Sequence, residues 1–343
     1  MEFNKLINEL CSTYGVSGCE EPALDVAKKY LDEFAETSVD RNGNLYAVLG
    51  NKNAEKTILL DAHIDRIGFM VTDINENGFV KIDKCGGIDA RTLQDSVLVL
   101  QGENSMSGVI CCLPPHLSDG KEDKATPISK IWVDFGMPYD EIIKFVKIGD
   151  VLTYKSYSEN LLNNQITSPA LDNRSGVAAL IKCAEFLSKE ETLKYKIVIL
   201  LSSQEETFGT GAKTASFTVD ADEAVVVDVS FASQPDVSGV YSKIKLSKGP
   251  MICVSPILSK KMTERLIDMA NSRSIPYQLE PISGVTGTNA DHISVAKSGV
   301  KTAVISIPQK NMHTPVEIIN IDDVENTATL IAEYIKCGGA FDD

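Results

Sequence analysis

The chain has 343 residues and is 43% hydrophobic, enough to bury one large core or two smaller ones and too long for a single minimal domain. Its formal charge of -15, with Lys and Arg scattered rather than gathered, excludes nonspecific phosphate binding, so no nucleic-acid partner is expected. No apolar run approaches the roughly 18 residues of a membrane span, so no membrane partner is expected either.

The opening MEFNKLINEL is amphipathic and lacks the apolar middle of a signal peptide, so the expected location is cytoplasmic. Eight cysteines without CxxC spacing read as reduced thiols, and a thiolate metal site is not expected.

In chain order, residues 19–35 (CEEPALDVAKKYLDEFA) form the first amphipathic helix, with Val26, Tyr30, Leu31 and Phe34 on one face and Glu20, Glu21 and Pro22 suited to its first turn. An Asn-Gly turn at Arg41-Asn42-Gly43-Asn44 precedes strand-like residues 45–49 and a strand over 57–62. Then the texture changes. Between 69 and 162, short β runs at 69–72, 79–82, 96–100, 108–111, 131–135 and 151–154 are divided by Gly, Pro, Asn and Asp, with one helical run at 139–146.

After 163 the alternation resumes with helix 175–188, strand 196–201, strand 224–229, helix 261–273, a further helix at 291–297 and strand 302–307. Near-continuous Val, Ile and Leu runs suit strands covered on both faces. The predicted fold is α/β: a mixed, largely parallel sheet with helices on both faces, built from 1–68 and 163–343, plus a small β domain inserted at 69–162.

In such sheets ligands collect beyond the carboxyl ends of the strands. The strand at 57–62 runs into DAHIDRIGFM, with His63 and Asp65; Asp172 precedes a helix in SPALDNRSG; SSQEE after KIVILL carries Glu205 and Glu206; AVVVDVS holds Asp228; NMHTPVE after TAVISI holds His313. Two histidines and three carboxylates (His63, His313, Asp172, Glu206 and Asp228) suit Zn²⁺, Co²⁺ or Mn²⁺. Two such ions about 3.5–4 Å apart need one shared carboxylate and terminal ligands on each side. Glu205, beside Glu206, is placed to act as a general base on water.

Singly, each position has a plainer reading: His63 a satisfied strand-end histidine, Asp172 a helix cap, Glu205-Glu206 a solvated loop, His313 a loop residue. Asp228 differs, because a carboxylate inside AVVVDV is costly to bury unpaired. Joint occurrence at successive strand ends favours a site. His116 and His292 read as structural or surface residues.

AHIDRIGFMV, ALDNRSG, SSQEETFGTGA, VVVDVS and SGVKTAVISIPQKNMHTPVE, in this order, resemble metallopeptidase family 42, which includes glutamyl, deblocking and tetrahedral aminopeptidases and relatives labelled endoglucanase M or cellulase. The resemblance spans nearly the full length; CLPPHL at 112–117 and VKIGDVLTY at 146–154 look like its landmarks in the insert. It implies a zinc-peptidase-like fold and an aminopeptidase acting on short peptides with two divalent ions per subunit, Zn or Co first and Mn also suited. His63, Asp172 and Asp228 would hold one ion, Asp172, Glu206 and His313 the other, with Glu205 the base and Asp65 orienting His63. It also implies a homo-oligomer, dodecamers being common, with the inserted β domain the expected oligomerisation element.

Three positions depart from the family pattern. Arg66 stands where an acid is usual, and is expected to pair with a neighbouring carboxylate or to face the specificity pocket and favour acidic substrate side chains. In GTNADH, Asn289 replaces a frequent aspartate and joins Arg66 as an expected specificity residue, and His292 replaces a small residue. Rival readings are a glycosidase, disfavoured by idle histidines and scarce aromatics, and a homologue without turnover, for which Arg66 is the motive.

Overall fold

Two amphipathic helices open the chain in this computed structural model, which describes residues 2–102, 105–117 and 125–341. In α1 (Phe3–Ser12), Leu6, Ile7, Leu10 and Cys11 recur at helical spacing and are buried. In α2 (Glu21–Leu31), Glu21 and Pro22 occupy the first turn and Lys28 and Lys29 the last, as the helix dipole favours. Its buried face is Ala23, Leu24, Ala27 and Leu31; Val26, Tyr30 and Phe34, expected on that face beside Leu31, are only partly buried against the core.

β1 (Glu36–Val39) and β2 (Leu45–Gly50) form the hairpin around the Asn-Gly turn, and β3 (Thr57–His63) is buried at every residue. The chain then closes a barrel from β4 (Gly68–Ile74), β5 (Val80–Cys85), β6 (Val97–Leu100), β7 (Ser107–Ile110), β8 (Trp132–Asp134) and β9 (Val151–Tyr154), in the order β4-β5-β8-β7-β6-β9. Every pairing in it is antiparallel, and Phe69 meets Tyr154 edge-on in its core, with ring centroids 5.5 Å apart. The helical run expected at 139–146 is shorter: α3 (Tyr139–Ile142) passes into hydrogen-bonded turns that lead to Gly149, at φ +95°.

β10 (Glu159–Leu161) and β11 (Gln165–Ser168) pair antiparallel as the chain leaves the barrel. Then come α4 (Leu171–Leu187), β12 (Lys196–Ser202), α5 (Thr210–Val219), β13 (Glu223–Phe231), β14 (Met251–Val254), α6 (Lys260–Ser272), β15 (Gln278–Pro281), α7 (Ala290–Ile293), β16 (Lys301–Gln309), β17 (Glu317–Asn320) and α8 (Ile321–Lys336). The helix expected over 291–297 ends early in α7, because Lys297 at φ 51° and Gly299 at φ +100° turn the chain into β16. α8 starts on Asn320, whose Oδ1 accepts the Asp322 N–H at 2.9 Å, and buries Ile321, Val324, Ala328, Ile331 and Ile335.

The main sheet runs β1-β2-β12-β3-β13-β16-β14-β15. Its centre, β12, β3, β13 and β16, is parallel, while β2 joins β12 and β14 joins β16 antiparallel, so the sheet is mixed with a parallel heart. These central strands are apolar throughout because both faces are covered. Ile58, Leu60 and Ala62 of β3 look into the core shared with α1, α2, α4, α6 and α8, whereas Leu59 looks into the core under α5 and α7. A separate sheet, β10-β11-β17, ties the chain after the barrel to the segment before α8.

α4 is buried along most of its length, which fixes its first turn, the origin of Asp172. Leu180→Ala is expected to cost about 2–5 kcal/mol in urea denaturation; a cost well below that range would show that α4 is not clamped between sheet and helices.

Candidate metal centre

The four central strands end along one edge, and their sequels converge there. His63 closes β3, Asp228 lies in β13, Glu205 and Glu206 follow β12, and His313 follows β16 with φ 61°. Asp172 comes from the non-helical start of α4, where the Asp172–Asn173 peptide is cis. Asn173 pins this start to β13, its Nδ2 donating to the Val227 carbonyl at 2.8 Å while its Oδ1 accepts the Gly176 N–H at 3.1 Å.

Asp172 faces one imidazole with each oxygen. Its Oδ1 lies 3.1 Å from His63 Nε2 and its Oδ2 3.2 Å from His313 Nε2. Around His63 Nε2, Asp228 Oδ1 stands at 3.7 Å and Glu205 Oε2 at 3.9 Å; Glu206 Oε2 is 3.4 Å from His313 Nε2. All five expected ligand positions and Glu205 are thus brought together.

Asp65 does more than aim a ring. Its backbone carbonyl lies 3.2 Å and its Oδ1 3.5 Å from His63 Nδ1, which leaves Nε2 free for the cluster. The same carboxylate accepts the Glu205 N–H at 2.9 Å and the Glu206 N–H at 3.1 Å, and the Ser17 hydroxyl at 2.5 Å. One buried side chain therefore positions a histidine and two glutamates.

Sequence reasoning missed a second such clamp, Glu317, at the start of β17. Its Oε2 accepts the Asp172 N–H at 3.1 Å and its Oε1 the His313 N–H at 2.9 Å, joining two segments far apart in the chain. The only available signal was a lone acid opening the apolar EIIN. The barrel adds a wall: a side chain at Gly87, just past β5, would come within 2.8 Å of His313 Nδ1.

The electrostatics are those of crowded acids. Burial pushes Glu205 up to about 8; His63 opposes, and Asp228, Asp172 and Asp65 add to the rise. Glu206 is held well above the usual carboxylate range by burial and then by Asp172, and Asp228 is raised by burial first. Burial and Asp172 take Glu317 to about 8. Against burial, the surrounding carboxylates hold His63 well above the ordinary imidazole value and His313 at about 10. Asp172 resists burial and stays well below its usual range because both imidazoles donate to it.

Among the described residues, the cations within ion-pair distance of these acids are the two imidazoles, and such a group fits divalent ions well. Two overlapping sets, His63–Asp172–Asp228 and Asp172–Glu206–His313, each place one ligand atom per residue within 4.8 Å of the others. Glu206 Oε1 is buried without a hydrogen-bond partner, an oxygen open to a cation. Each set could hold one ion, with Asp172 shared.

Arg66 corrects the expectation placed on it. It is buried, its Nη1 donates to Ser156 Oγ at 3.2 Å, and among the described residues no carboxylate lies within ion-pair distance of it. It also lies outside the cleft lining. The cause is the backbone: the Arg66 N–H bonds the Gly15 carbonyl at 3.0 Å and pairs with Val16, and the side chain runs to Ser156, beyond the last barrel strand. Asn289 likewise sits behind the cleft, its Nδ2 donating to Asp61 Oδ2 at 3.0 Å and Ser202 Oγ at 2.9 Å; its neighbours Thr286, Gly287 and Thr288 form the cleft wall instead. His116 is exposed and His292 packs against Gly209, and neither lines the cleft.

Residues 43–330 match the family model described as M42 glutamyl aminopeptidase. A lysyl aminopeptidase of Pyrococcus furiosus is 32% identical over 342 residues, covering 97% of this chain and 96% of its own. An aminopeptidase from the archaeon Desulfurococcus kamchatkensis superposes with a TM-score of 0.92 at 30% identity, over 99% of this chain and 96% of that one. The Pyrococcus horikoshii TET1 peptidase, which can assemble into a tetrahedron or a large octahedral shell, gives 0.85 at 29% identity, over 97% and 98%.

The grip of Glu317 on two segments makes a prediction of its own. In calorimetric titration of the metal-free protein with Zn²⁺, Glu317→Gln is expected to weaken binding about 10–100-fold. An unchanged isotherm would mean that Asp172 and His313 are held in place without it.

Proposed function

The chain belongs to the M42 glutamyl aminopeptidase family, and we propose that it removes amino-terminal residues from short peptides at the cluster of His63, Asp172, Glu206, Asp228 and His313, with two divalent cations held there. The observation that carries this is the sharing of Asp172, whose two oxygens each face a different histidine. A shared carboxylate with terminal ligands on both sides is what a pair of ions about 3.5–4 Å apart requires. The mixed nitrogen and oxygen donors favour Zn²⁺ or Co²⁺, with Mn²⁺ also suited.

Bound there, the cations supply Lewis acidity toward the scissile carbonyl and the attacking water. Glu205 is free for proton transfer: it is partly exposed to the cleft and belongs to neither ligand set. It takes a proton from the water as the new C–O bond forms and returns one to the leaving amine as the C–N bond breaks. Asp65 keeps Glu205 and His63 in register through the contacts described above. Among the described residues no Lys or Arg lines the cleft, so its acids attract the free α-ammonium of a peptide, consistent with removal from the amino end. Glycoside hydrolysis would need two carboxyl groups and leave both histidines idle.

A homo-oligomer, with a dodecamer the form to look for, and an oligomerisation role for the inserted β domain complete the reading. Ile143, Phe145 and Ile148 of that domain are exposed, apolar surface of the kind subunits cover. A cytoplasmic setting is in keeping with eight cysteines that are all free thiols, and no helix among the described residues is long and apolar enough to cross a membrane.

Glu205→Gln is expected to lower kcat on aminoacyl anilides about 10²–10⁴-fold while the bound metal content stays at the native value. Chelation should abolish turnover and Zn²⁺, Co²⁺ or Mn²⁺ restore it. Native turnover by the variant, or peptidase activity indifferent to chelators, would remove the proposal.

A further inference from the structure

One acid in the cleft has no task in the reaction. Glu280 of β15 lies beside the candidate metal centre and lines the same cavity of about 220 Å³, yet it belongs to neither ligand set. Ser230, two residues past Asp228, donates to Glu280 Oε1, and Ser306, the register partner of Asp228, donates to Oε2 at 2.7 Å. The carboxylate is 1% exposed, and among the described residues no Lys, Arg or His comes within ion-pair distance of it.

A buried carboxylate without a cationic partner is expensive unless something brings one. The hydroxyls of Ser230, Ser306 and Tyr241 fix its direction but do not neutralise it, and its remaining lone pairs stay available. Burial raises its pKa, and an arriving ammonium would favour the charged form again. The approach is apolar and aromatic. Phe231 and Tyr241 pack edge to face with centroids 5.3 Å apart at the cleft, and Ile282 stands beside them. Such walls suit the methylene stem of a long side chain whose charged head continues to the acid.

We propose that Glu280 is the specificity-determining residue of the cleft and selects peptides whose first residue is basic, lysine before arginine. This rests on the aminopeptidase reading above and adds to it the class of side chain accepted. The ammonium of lysine, a compact head on a flexible stem, would pair with Glu280 while the stem lies along Phe231 and Tyr241. Acidic side chains are excluded by the same charge: Glu280 repels them, and no Lys or Arg among the described lining residues receives them. This is opposite in sign to the preference first expected from Arg66, which does not reach the cleft.

The test compares lysyl, norleucyl and glutamyl anilides on the metal-loaded native enzyme and on Glu280→Gln. Norleucine carries the lysine stem without its charge. The native enzyme is expected to show a kcat/KM for lysyl at least about tenfold above norleucyl, the size of one charge-assisted hydrogen bond, and glutamyl below both. Glu280→Gln is expected to bring the lysyl to norleucyl ratio toward unity. If that variant does not fold, the native ratio decides alone. A native enzyme that cleaves norleucyl or glutamyl substrate as fast as lysyl, or a folded Glu280→Gln that keeps the native ratio, overturns the assignment of Glu280 and leaves the aminopeptidase reading standing. A metal-loaded enzyme that cleaves none of the three overturns both.

Discussion

The arrangement depends on one buried carboxylate, Asp172, set between two imidazoles. It can stand there only because its backbone is held from outside: Glu317 accepts its N–H, and Asn173 ties the next residue to β13. Both histidines are referred to the same side chain. Geometry that passes through one shared group is stiff only if that group is immobile. The surroundings of Asp172, an almost wholly buried α4 beneath a parallel sheet, supply that immobility.

The parallel centre of the sheet explains why the acids meet at all. Parallel strands end on the same side, so the residues following β3 and β12 and the end of β13 lie within side-chain reach across neighbouring strands. The antiparallel flanks, β2 and β14, contribute none of these ligand candidates. Crowding acids in this way is unfavourable by itself, which is visible in how far burial and mutual repulsion lift Glu205 and Glu206. The proposed cations relieve that repulsion; a site assembled at such cost in the free protein is one whose affinity for positive charge is built in.

Much of this was legible from residue order because the relevant signals are local. An apolar run that stops at a polar residue marks a strand end, and the ends at His63 and Glu205-Glu206, like the carboxylate inside the run around Asp228, announce themselves that way. What stayed hidden is long-range. Glu317 gains its meaning only from hydrogen bonds to Asp172 and His313, and Glu280 only from serines on two other strands. Arg66 shows the converse error: proximity in sequence to His63 and Asp65 put it in the site on paper, but in a strand-like segment successive side chains alternate direction. Helix ends were misjudged where positive-φ residues, Gly149 and Gly299 among them, turn the chain after an apolar pattern begins.

Arg66 still has a physical place in the whole. Together with Arg174, whose Nη1 bonds the Leu10 carbonyl at 3.1 Å, it puts fixed positive charge in the protein behind an acid-rich centre. Glu317 is the carboxylate whose field favours the Arg66 charge most strongly, and Glu206 adds to it, although neither touches the guanidinium. Unpaired contact is avoided while the charges still feel one another at moderate range, which suits a clamp that must accept two backbone N–H groups rather than surrender its oxygens to a salt bridge. Arg66 therefore stays behind the cleft, and the chemistry in front, including the acid at Glu280, is left to the residues that line it.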